Sequence, residues 1–230
     1  MFYVPATSAD SWRVGLAEAK HWKAGRSAHA LAHTWHGTGF PPAISELFRE
    51  AELSELHGLE MLVGLVEHKV PLDGRGRASQ TDLFVLARTV AGEQVAIAVE
   101  GKVDEPFGQR VRDWLGTDEE ATNKPARLDF LCQTLGLDRA AAAGISYQLL
   151  HRTASAILEA QRFGARYALM IVHSFCPDSS GFADFKQFGK LMGVSEVEKA
   201  TLLRCRLRDP KLSIAWVADE LPPEEEASAS

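Results

Sequence analysis

The chain has 230 residues, of which 46% are hydrophobic, and a formal net charge of −6. That length can bury one substantial core, and the acidic balance argues against a large nucleic-acid footprint. We expect neither a secretion signal nor a membrane span, because no basic segment precedes an apolar one at the start and no apolar run could cross a bilayer. Three scattered cysteines, without zinc or disulfide spacing, favour the cytoplasm.

The N-terminal part predicts two helices. The first begins at Ser27, as its cap, and runs to His36, and the second begins at Pro41-Pro42 and runs to about His57. Large apolar side chains predict that this region forms a hydrophobic cap over a sheet. They are Trp22, Leu31, Trp35 and Phe40.

Three histidines on the first predicted helix offer one metal-binding alternative. His29, His33 and His36 are spaced so that they could share a helix face and bind zinc. No fourth ligand or general base accompanies them in a recognisable motif, so surface or partly packed histidines are the other interpretation.

The rest of the chain alternates between strands and helices. Apolar patterning predicts strands at 60–70, 81–89, 94–103 and 167–175, and helices near 107–115, 125–136 and 146–163. Beyond these we expect a Phe-rich helix at 182–192, a helix opened by a capping box at 195–198, and a strand at 212–217.

This order places the chain in the α/β (α+β) class, with a central mixed sheet flanked by helices and with extra N- and C-terminal helices. We expect a single domain over 1–220, followed by a disordered acidic tail at 221–230. The domain would consist of an N-terminal helical cap (1–44), a core (45–175) and a C-terminal extension (176–220).

Charged residues lie at the ends of two neighbouring predicted strands. The β-branched and small residues 95–99 are typical of a strand covered on both faces, and Glu100-Gly101-Lys102 follows them. Side chains two residues apart on a strand share a face, so Glu100 and Lys102 point the same way. Asp82 begins the preceding strand.

The loop between these strands decides whether Asp82 joins the pair. If residues 91–93 form the loop, residues 90 and 94 are paired, and Asp82 lies opposite Lys102 on the same face. A two-residue loop would shift the register by one and turn Asp82 to the other face.

Two interpretations of these charges remain open from the residues alone. Close carboxylates raise each other's pKa unless a cation separates them, and carboxylates with a backbone carbonyl and water are ligands that Mg²⁺ accepts. Such an ion can activate water and neutralise the charge of a phosphate. Lys102 could hold the water or the phosphate. In the other interpretation, Glu100 and Lys102 form a strand-end ion pair and Asp82 only begins a strand after a turn.

A carboxylate at the start of one strand and an E-x-K at the end of the next resembles the PD-(D/E)xK nuclease superfamily, which includes restriction endonucleases and junction resolvases. Within it, VEGKVDEPFG and SYQLLHRTASAILEAQRF are similar to blocks of an uncharacterised bacterial family, over roughly residues 45–175. The resemblance implies a restriction-endonuclease-like core. Thr81 stands where the name-giving proline would be.

Carried over residue by residue, the resemblance implies a Mg²⁺ site that Mn²⁺ could also fill. Asp82 and Glu100 would bind the metal, the Gly101 carbonyl would assist, and Lys102 would be catalytic. Gln148, on the helix after the E-x-K strand, looks like a glutamine that approaches the active site in several branches of the superfamily.

Members of the superfamily often add an acidic residue from the element before the first motif. We choose Glu67 as this metal ligand, because it ends an apolar run that could neighbour Asp82 in an antiparallel meander. The other acidic residues of this region are Glu46, Glu50, Glu55 and Glu60.

Three arginines are candidate contacts for nucleic acid, with DNA the expected partner. Arg75 and Arg77 lie in a loop before Asp82, although solubilising charge explains them as well. Arg152, four residues after Gln148 on the same helix face, could contact a phosphate. A homodimer is compatible with this role, because many double-strand cutters need two active sites.

The leading hypothesis is therefore a metal-dependent nuclease that hydrolyses phosphodiester bonds. The alternative is a nucleic-acid- or protein-binding module that keeps the fold without cutting. A small-molecule hydrolase or a structural protein, in which the charged triad is incidental, is a third hypothesis.

Overall fold

A computed structural model describes residues 6–16, 22–37, 39–73, 76–116, 123–176 and 178–223. The described chain is a mixed α/β protein with one six-stranded mixed sheet flanked by helices, as predicted. The strands are β1 (Glu60–Val70), β2 (Ser79–Arg88), β3 (Gln94–Lys102), β4 (Tyr167–Ser174), β5 (Leu203–Arg208) and β6 (Lys211–Ala218). The helices are α1 (Ser27–Trp35), α2 (Pro42–Arg49), α3 (Val111–Leu115), α4 (Lys124–Leu135), α5 (Arg139–Ala142), α6 (Tyr147–Phe163) and α7 (Phe182–Leu191), with short 3-10 helices at Ala9–Gly15 and Ser54–Leu56.

The sheet has the strand order β1-β2-β3-β4-β6-β5. The first three strands form an antiparallel meander, β4 runs parallel to both β3 and β6, and β5 returns antiparallel to β6. Strand β6 pairs with β4 from Tyr167–Lys211 to Ser174–Ala218. The predicted C-terminal extension therefore supplies two strands of the central sheet.

Helices cover both faces of the sheet. Helices α3 to α7 pack their apolar side chains against one face, and α6 lies directly on β3 and β4. Helices α1 and α2 pack on the other face, where Leu31 and Trp35 are buried with Trp22 and Phe40 against them. The predicted N-terminal hydrophobic cap is confirmed. None of the helices in the described ranges is both long and apolar enough to cross a membrane.

Two predicted helix boundaries are wrong in the N-terminal part. Helix α2 ends at Arg49, well before His57, and a separate 3-10 turn follows. Ser27 is the first residue inside α1 rather than its cap. Its backbone N–H and its hydroxyl both donate to the Glu105 carboxylate, at 3.2 and 3.0 Å, so the helix start is tied to the segment that follows β3.

The predicted helix at the 195–198 capping box is also wrong, because this segment is a loop. Val197 is buried there, and its Cγ2 lies only 2.7 Å from where a Cβ on Gly189 of α7 would be. Close packing of Val197 over Gly189 holds the loop, and β5, which was not predicted, follows it.

The loop between β2 and β3 occurs one residue earlier than predicted. The Thr89 N–H donates to the Glu93 carbonyl at 2.9 Å, so residues 90–92 form the loop. Gly92 takes its last position with a left-handed φ of +85°, as is usual in three-residue hairpin loops.

This loop changes the register between the two strands. Arg88 pairs with Gln94, and continuing that register places Asp82 opposite Glu100. The predicted pairing of Asp82 with Lys102 is wrong by two residues. A shift of two residues preserves the face, so Asp82, Glu100 and Lys102 still point to the same side of the sheet.

Candidate active site

Three adjacent strands bring three carboxylates together at one end of the sheet. Continuing the register of β1 and β2 places Glu67 opposite Asp82, and Asp82 in turn faces Glu100 across β2 and β3. All three line one cleft of about 880 Å³, which Lys102 and Gln148 also line. Every carboxylate, lysine and glutamine predicted for the site therefore lies in this cleft.

Asp82 lies where the ladder between β2 and β3 ends. Its Oδ2 accepts a hydrogen bond of 2.9 Å from the backbone N–H of Gly101. The predicted contribution of Gly101 was its carbonyl, whereas the contact seen in the structure is made by its N–H. Because this bond holds one carboxylate oxygen, Asp82 has a fixed orientation at the mouth of the cleft.

Glu67 has an unusual backbone conformation, with a left-handed φ of +51°. Such a conformation costs about 1–2 kcal/mol for a residue with a side chain, and strained residues of this kind are common at functional sites. The register of β1 with β2 is nevertheless the same on both sides of it, at Val66–Leu83 and His68–Thr81. The Glu67 carboxylate accepts a 2.6 Å hydrogen bond from Nε2 of Gln80, and this β2 residue therefore positions it.

Glu100, Lys102 and Gln148 form a closed hydrogen-bonded triangle. Lys102 Nζ lies 2.8 Å from Glu100 Oε1 and donates to Gln148 Oε1 at 3.1 Å, while Gln148 Nε2 donates to the same Glu100 oxygen. The Lys102 ammonium also lies 5.0 Å from the Phe107 ring centroid. The α6 residue Gln148 therefore fixes the position of the lysine amine at the end of β3.

Arg152 joins the carboxylates from the other side. Its Nε donates to Glu100 Oε2, and one terminal nitrogen lies 3.6 Å from Asp82 Oδ1. It is 8% exposed, so its guanidinium is part of the buried charge cluster. The phosphate contact predicted for Arg152 stays a prediction, and in the structure its guanidinium contacts Glu100 and lies near Asp82.

A second polar pair, not predicted from the sequence, supports Arg152. Ser79 Oγ accepts a 3.1 Å hydrogen bond from Arg152 and lies 2.9 Å from His151 Nδ1. Burial, followed by the charge of Arg152, lowers the pKa of His151, so the imidazole is neutral. The spacing of Gln148, His151 and Arg152 along one helix face is the signal that could have identified His151.

The carboxylates of the cluster differ in how strongly they hold protons. Burial, and then the charge of Glu100, raises the pKa of Asp82 to about 8. Burial raises the pKa of Glu67 to about 7, against the hydrogen bond from Gln80. Burial also opposes ionisation of Glu100, but Arg152 and Lys102 outweigh it and lower its pKa. In the metal-free protein, Glu100 is therefore the ionised partner of the two cations, while Asp82 and Glu67 tend to hold protons.

Carboxylates are the type of donor that a hard divalent cation takes. Carboxylate oxygens are the ligands that Mg²⁺ prefers, and an ion bound here would favour the ionised forms of Asp82 and Glu67. In the described part of the chain, no three His, Cys, Asp or Glu side chains are gathered in a metal-binding arrangement. Arg152 and Lys102 together engage both Glu100 oxygens, so Glu100 would have to exchange a cationic partner for the ion.

The arginines predicted to contact nucleic acid have different outcomes. Arg77 is exposed and lines a second cleft, of about 350 Å³, which adjoins the first. Arg75 lies outside the described residues.

The alternative zinc site on α1 has its own packing. His29 and His33 stack on each other with ring centroids 4.2 Å apart, and Trp22 lies against both. His36 Nδ1 accepts a hydrogen bond from Trp12 Nε1 at 3.3 Å. These contacts favour the interpretation as partly packed histidines.

The fold and the cleft define a mixed α/β protein with a buried carboxylate–lysine–arginine cluster at one end of its sheet. The chain belongs to the family described as "Domain of unknown function (DUF6946)", whose model matches residues 5–221. No curated protein and no solved structure matches the chain.

Proposed function

We propose that this protein is a Mg²⁺-dependent nuclease that hydrolyses phosphodiester bonds of nucleic acid, with DNA as the first substrate to test. The observation that carries the proposal is the convergence of Asp82, Glu100, Lys102 and Gln148, from β2, β3 and α6, in one cleft. A restriction-endonuclease-like core is supported by the order of the elements, in which α1 and α2 are followed by three strands and later by α6 and β4. Three free cysteines support a cytoplasmic location.

The residues divide the chemical work in this proposal. Asp82, Glu100 and Glu67 would hold Mg²⁺, which when bound supplies an activated water and neutralises phosphate charge. Lys102, oriented by Glu100 and Gln148, would hold the attacking water or a phosphate oxygen with its ammonium. Asp82 has one carboxylate oxygen held by the Gly101 N–H, and its other oxygen lies 3.6 Å from Arg152.

The buried network also favours a second candidate function. Both oxygens of Glu100 are engaged by cationic side chains, as in a structural ion cluster. A protein that binds nucleic acid on this fold without cutting would retain such a closed network. Cleavage is the property that separates the two functions.

The test is cleavage of single- and double-stranded DNA and RNA in Mg²⁺ or Mn²⁺, comparing the wild type with Glu100→Gln and Lys102→Met. Lys211→Met is the matched control, because Lys211 lies at the opposite end of the sheet over Tyr167. We expect metal-dependent cleavage that both site variants lose and the control keeps. Cleavage that both site variants retain would contradict the proposal, and binding without cleavage would favour the second function.

A further inference from the structure

Two stacked aromatic rings separate the candidate active-site cleft from the smaller cleft beside it. Trp114 of α3 and Tyr147 of α6 have ring centroids 3.9 Å apart and an interplanar angle of 9°. Both residues line both clefts, and both are half-buried. The stacked pair therefore borders the path from the carboxylate cluster to the second cleft.

Polar contacts hold this aromatic pair in place. The Tyr147 hydroxyl accepts a 2.8 Å hydrogen bond from Arg127 Nε, and the ring centroids of Tyr147 and His151 lie 4.9 Å apart. The Lys124 ammonium donates to the Trp114 carbonyl at 2.6 Å and lies 5.6 Å from the Trp114 ring centroid. A rigid π surface of this kind loses little entropy when a flat ligand stacks on it.

The second cleft has the charge of a site for a phosphate backbone. Its lining within the described residues includes Arg77, Arg127 and Arg152 and no carboxylate. Asp73 lies 3.7 Å from Arg127, and Arg152 is paired with Glu100, so the exposed Arg77 is the cation most open to a ligand in this cleft. Arginines beside a stacked aromatic pair are the combination that binds single strands, because bases stack while phosphates contact the cations.

We infer that Trp114 and Tyr147 form a stacking platform for an unpaired nucleobase next to the candidate active site, so that the preferred ligand is single-stranded nucleic acid. This inference rests on the proposed function and specifies its substrate class. The strand would place a phosphate near Lys102 and its neighbouring base against Trp114. DNA and RNA share this chemistry, and the experiment distinguishes them.

The test uses the full chain with single-stranded DNA, single-stranded RNA and duplex DNA oligonucleotides, each containing one 2-aminopurine, in EDTA so that no cleavage occurs. Anisotropy measures binding and 2-aminopurine fluorescence measures stacking. The variant is Trp114→Leu, and Trp114→Phe keeps an aromatic ring. The matched control is Phe163→Leu, because Phe163 also stacks, on Phe84 at 5.6 Å, but at the far end of α6 and outside both clefts.

We expect single strands of one or both kinds to bind more tightly than duplex and to quench 2-aminopurine. Trp114→Leu should weaken single-strand binding by about 5- to 100-fold, as for the loss of one stacked base, while Trp114→Phe and Phe163→Leu bind nearly as the wild type does. Equal binding by Trp114→Leu, or a wild-type complex without quenching, would overturn the platform.

The outcomes also separate this inference from the proposed function. If the protein cleaves nucleic acid but Trp114→Leu binds single strands as the wild type does, only the platform is overturned. If 2-aminopurine is quenched but no substrate is cleaved, only the catalytic role is overturned. Absence of binding to every oligonucleotide would overturn the platform. If Trp114→Leu does not fold, the quenching of 2-aminopurine by the wild type still tests whether a base stacks. Binding by Trp114→Phe then tests whether another aromatic ring can replace the indole.

Discussion

Arg152 determines the charge balance of the cluster. It pairs with Glu100, which is almost fully buried, and lies 3.6 Å from Asp82. Removing one partner of a buried ion pair leaves the other charge without compensation, which typically costs about 3–5 kcal/mol. In this cluster two carboxylates would lose the same cation.

We therefore expect Arg152→Met to lower the free energy of unfolding by about 3 kcal/mol in urea titrations. Adding Glu100→Gln should restore part of this loss, because the uncompensated carboxylate is then removed. Arg166→Met is the control, since the ion pair of Arg166 with Glu93 lies on the surface. Unchanged stability of Arg152→Met would show that the cluster does not depend on this guanidinium.

The raised pKa of Asp82 predicts how stability depends on pH without metal. The folded state holds a proton on Asp82 up to about pH 8, whereas the unfolded chain releases it near pH 3.9. The folded state binds more protons in this window, so stability falls as pH rises, and Glu67 acts in the same direction.

Urea titrations in EDTA at pH 5 and pH 8 measure this effect. Asp82→Asn cannot ionise, so we expect its loss of unfolding free energy between the two pH values to be smaller than that of the wild type. An equal loss in both proteins would mean that Asp82 is not the titrating group.

At the scale of elements, the contact between α1 and β3 explains why a glycine lies between Glu100 and Lys102. A Cβ on Gly101 would lie 3.3 Å from the Ser27 carbonyl oxygen and 3.5 Å from Leu31 Cβ. Helix α1 therefore packs against the backbone of the strand end that carries the site. Sequence patterning alone gave no sign of this contact, because it joins residues far apart in the chain.

We expect Gly101→Ala to displace the start of α1 and to lower the free energy of unfolding by about 1 kcal/mol, the lower end for overpacking. Hydrogen exchange should also quicken in α1, measured by mass spectrometry. Gly37→Ala is the matched control, since among the residues that the structure describes, its chain neighbours apart, none has an atom within 4 Å of the added Cβ. The close packing would be refuted by equal exchange in the two variants.

The hairpin shows how far the sequence could predict the position of the site. The strands and their shared face followed from alternation and from the apolar run at 95–99. The register could not be predicted in this way. The loop was expected at residues 91–93, whereas Gly92, with its left-handed φ, occupies the last position of a loop at 90–92. The shared face survived this error because the register moved by an even number of residues.

Strand β5 was missed although its pattern was present. Leu203, Cys205 and Leu207 alternate with arginines, which is typical of an edge strand that charges protect from pairing with other chains. The capping-box motif at 195–198, just before this strand, predicted a helix. The left-handed backbone of Glu67 had no sequence signal. Its side chain lies against Gln80 and close to Gly15, which are distant from it in the chain.

At the scale of the whole molecule, the sheet and its two helical layers hold three carboxylates at one end of the sheet. The N-terminal helices cover one face and α6 covers the other, and all three carboxylates line the same cleft. A divalent cation would replace the protons that Asp82 and Glu67 hold in the metal-free protein. We propose that Asp82 and Glu100 bind such an ion.

The most direct test is the anomalous scattering of Mn²⁺ in crystals of the wild type and of Asp82→Asn. We predict one strong anomalous peak in contact with Asp82 and Glu100 in the wild type, and its loss in the variant. No peak at these carboxylates at saturating Mn²⁺, or a peak that persists unchanged in Asp82→Asn, would contradict the metal site.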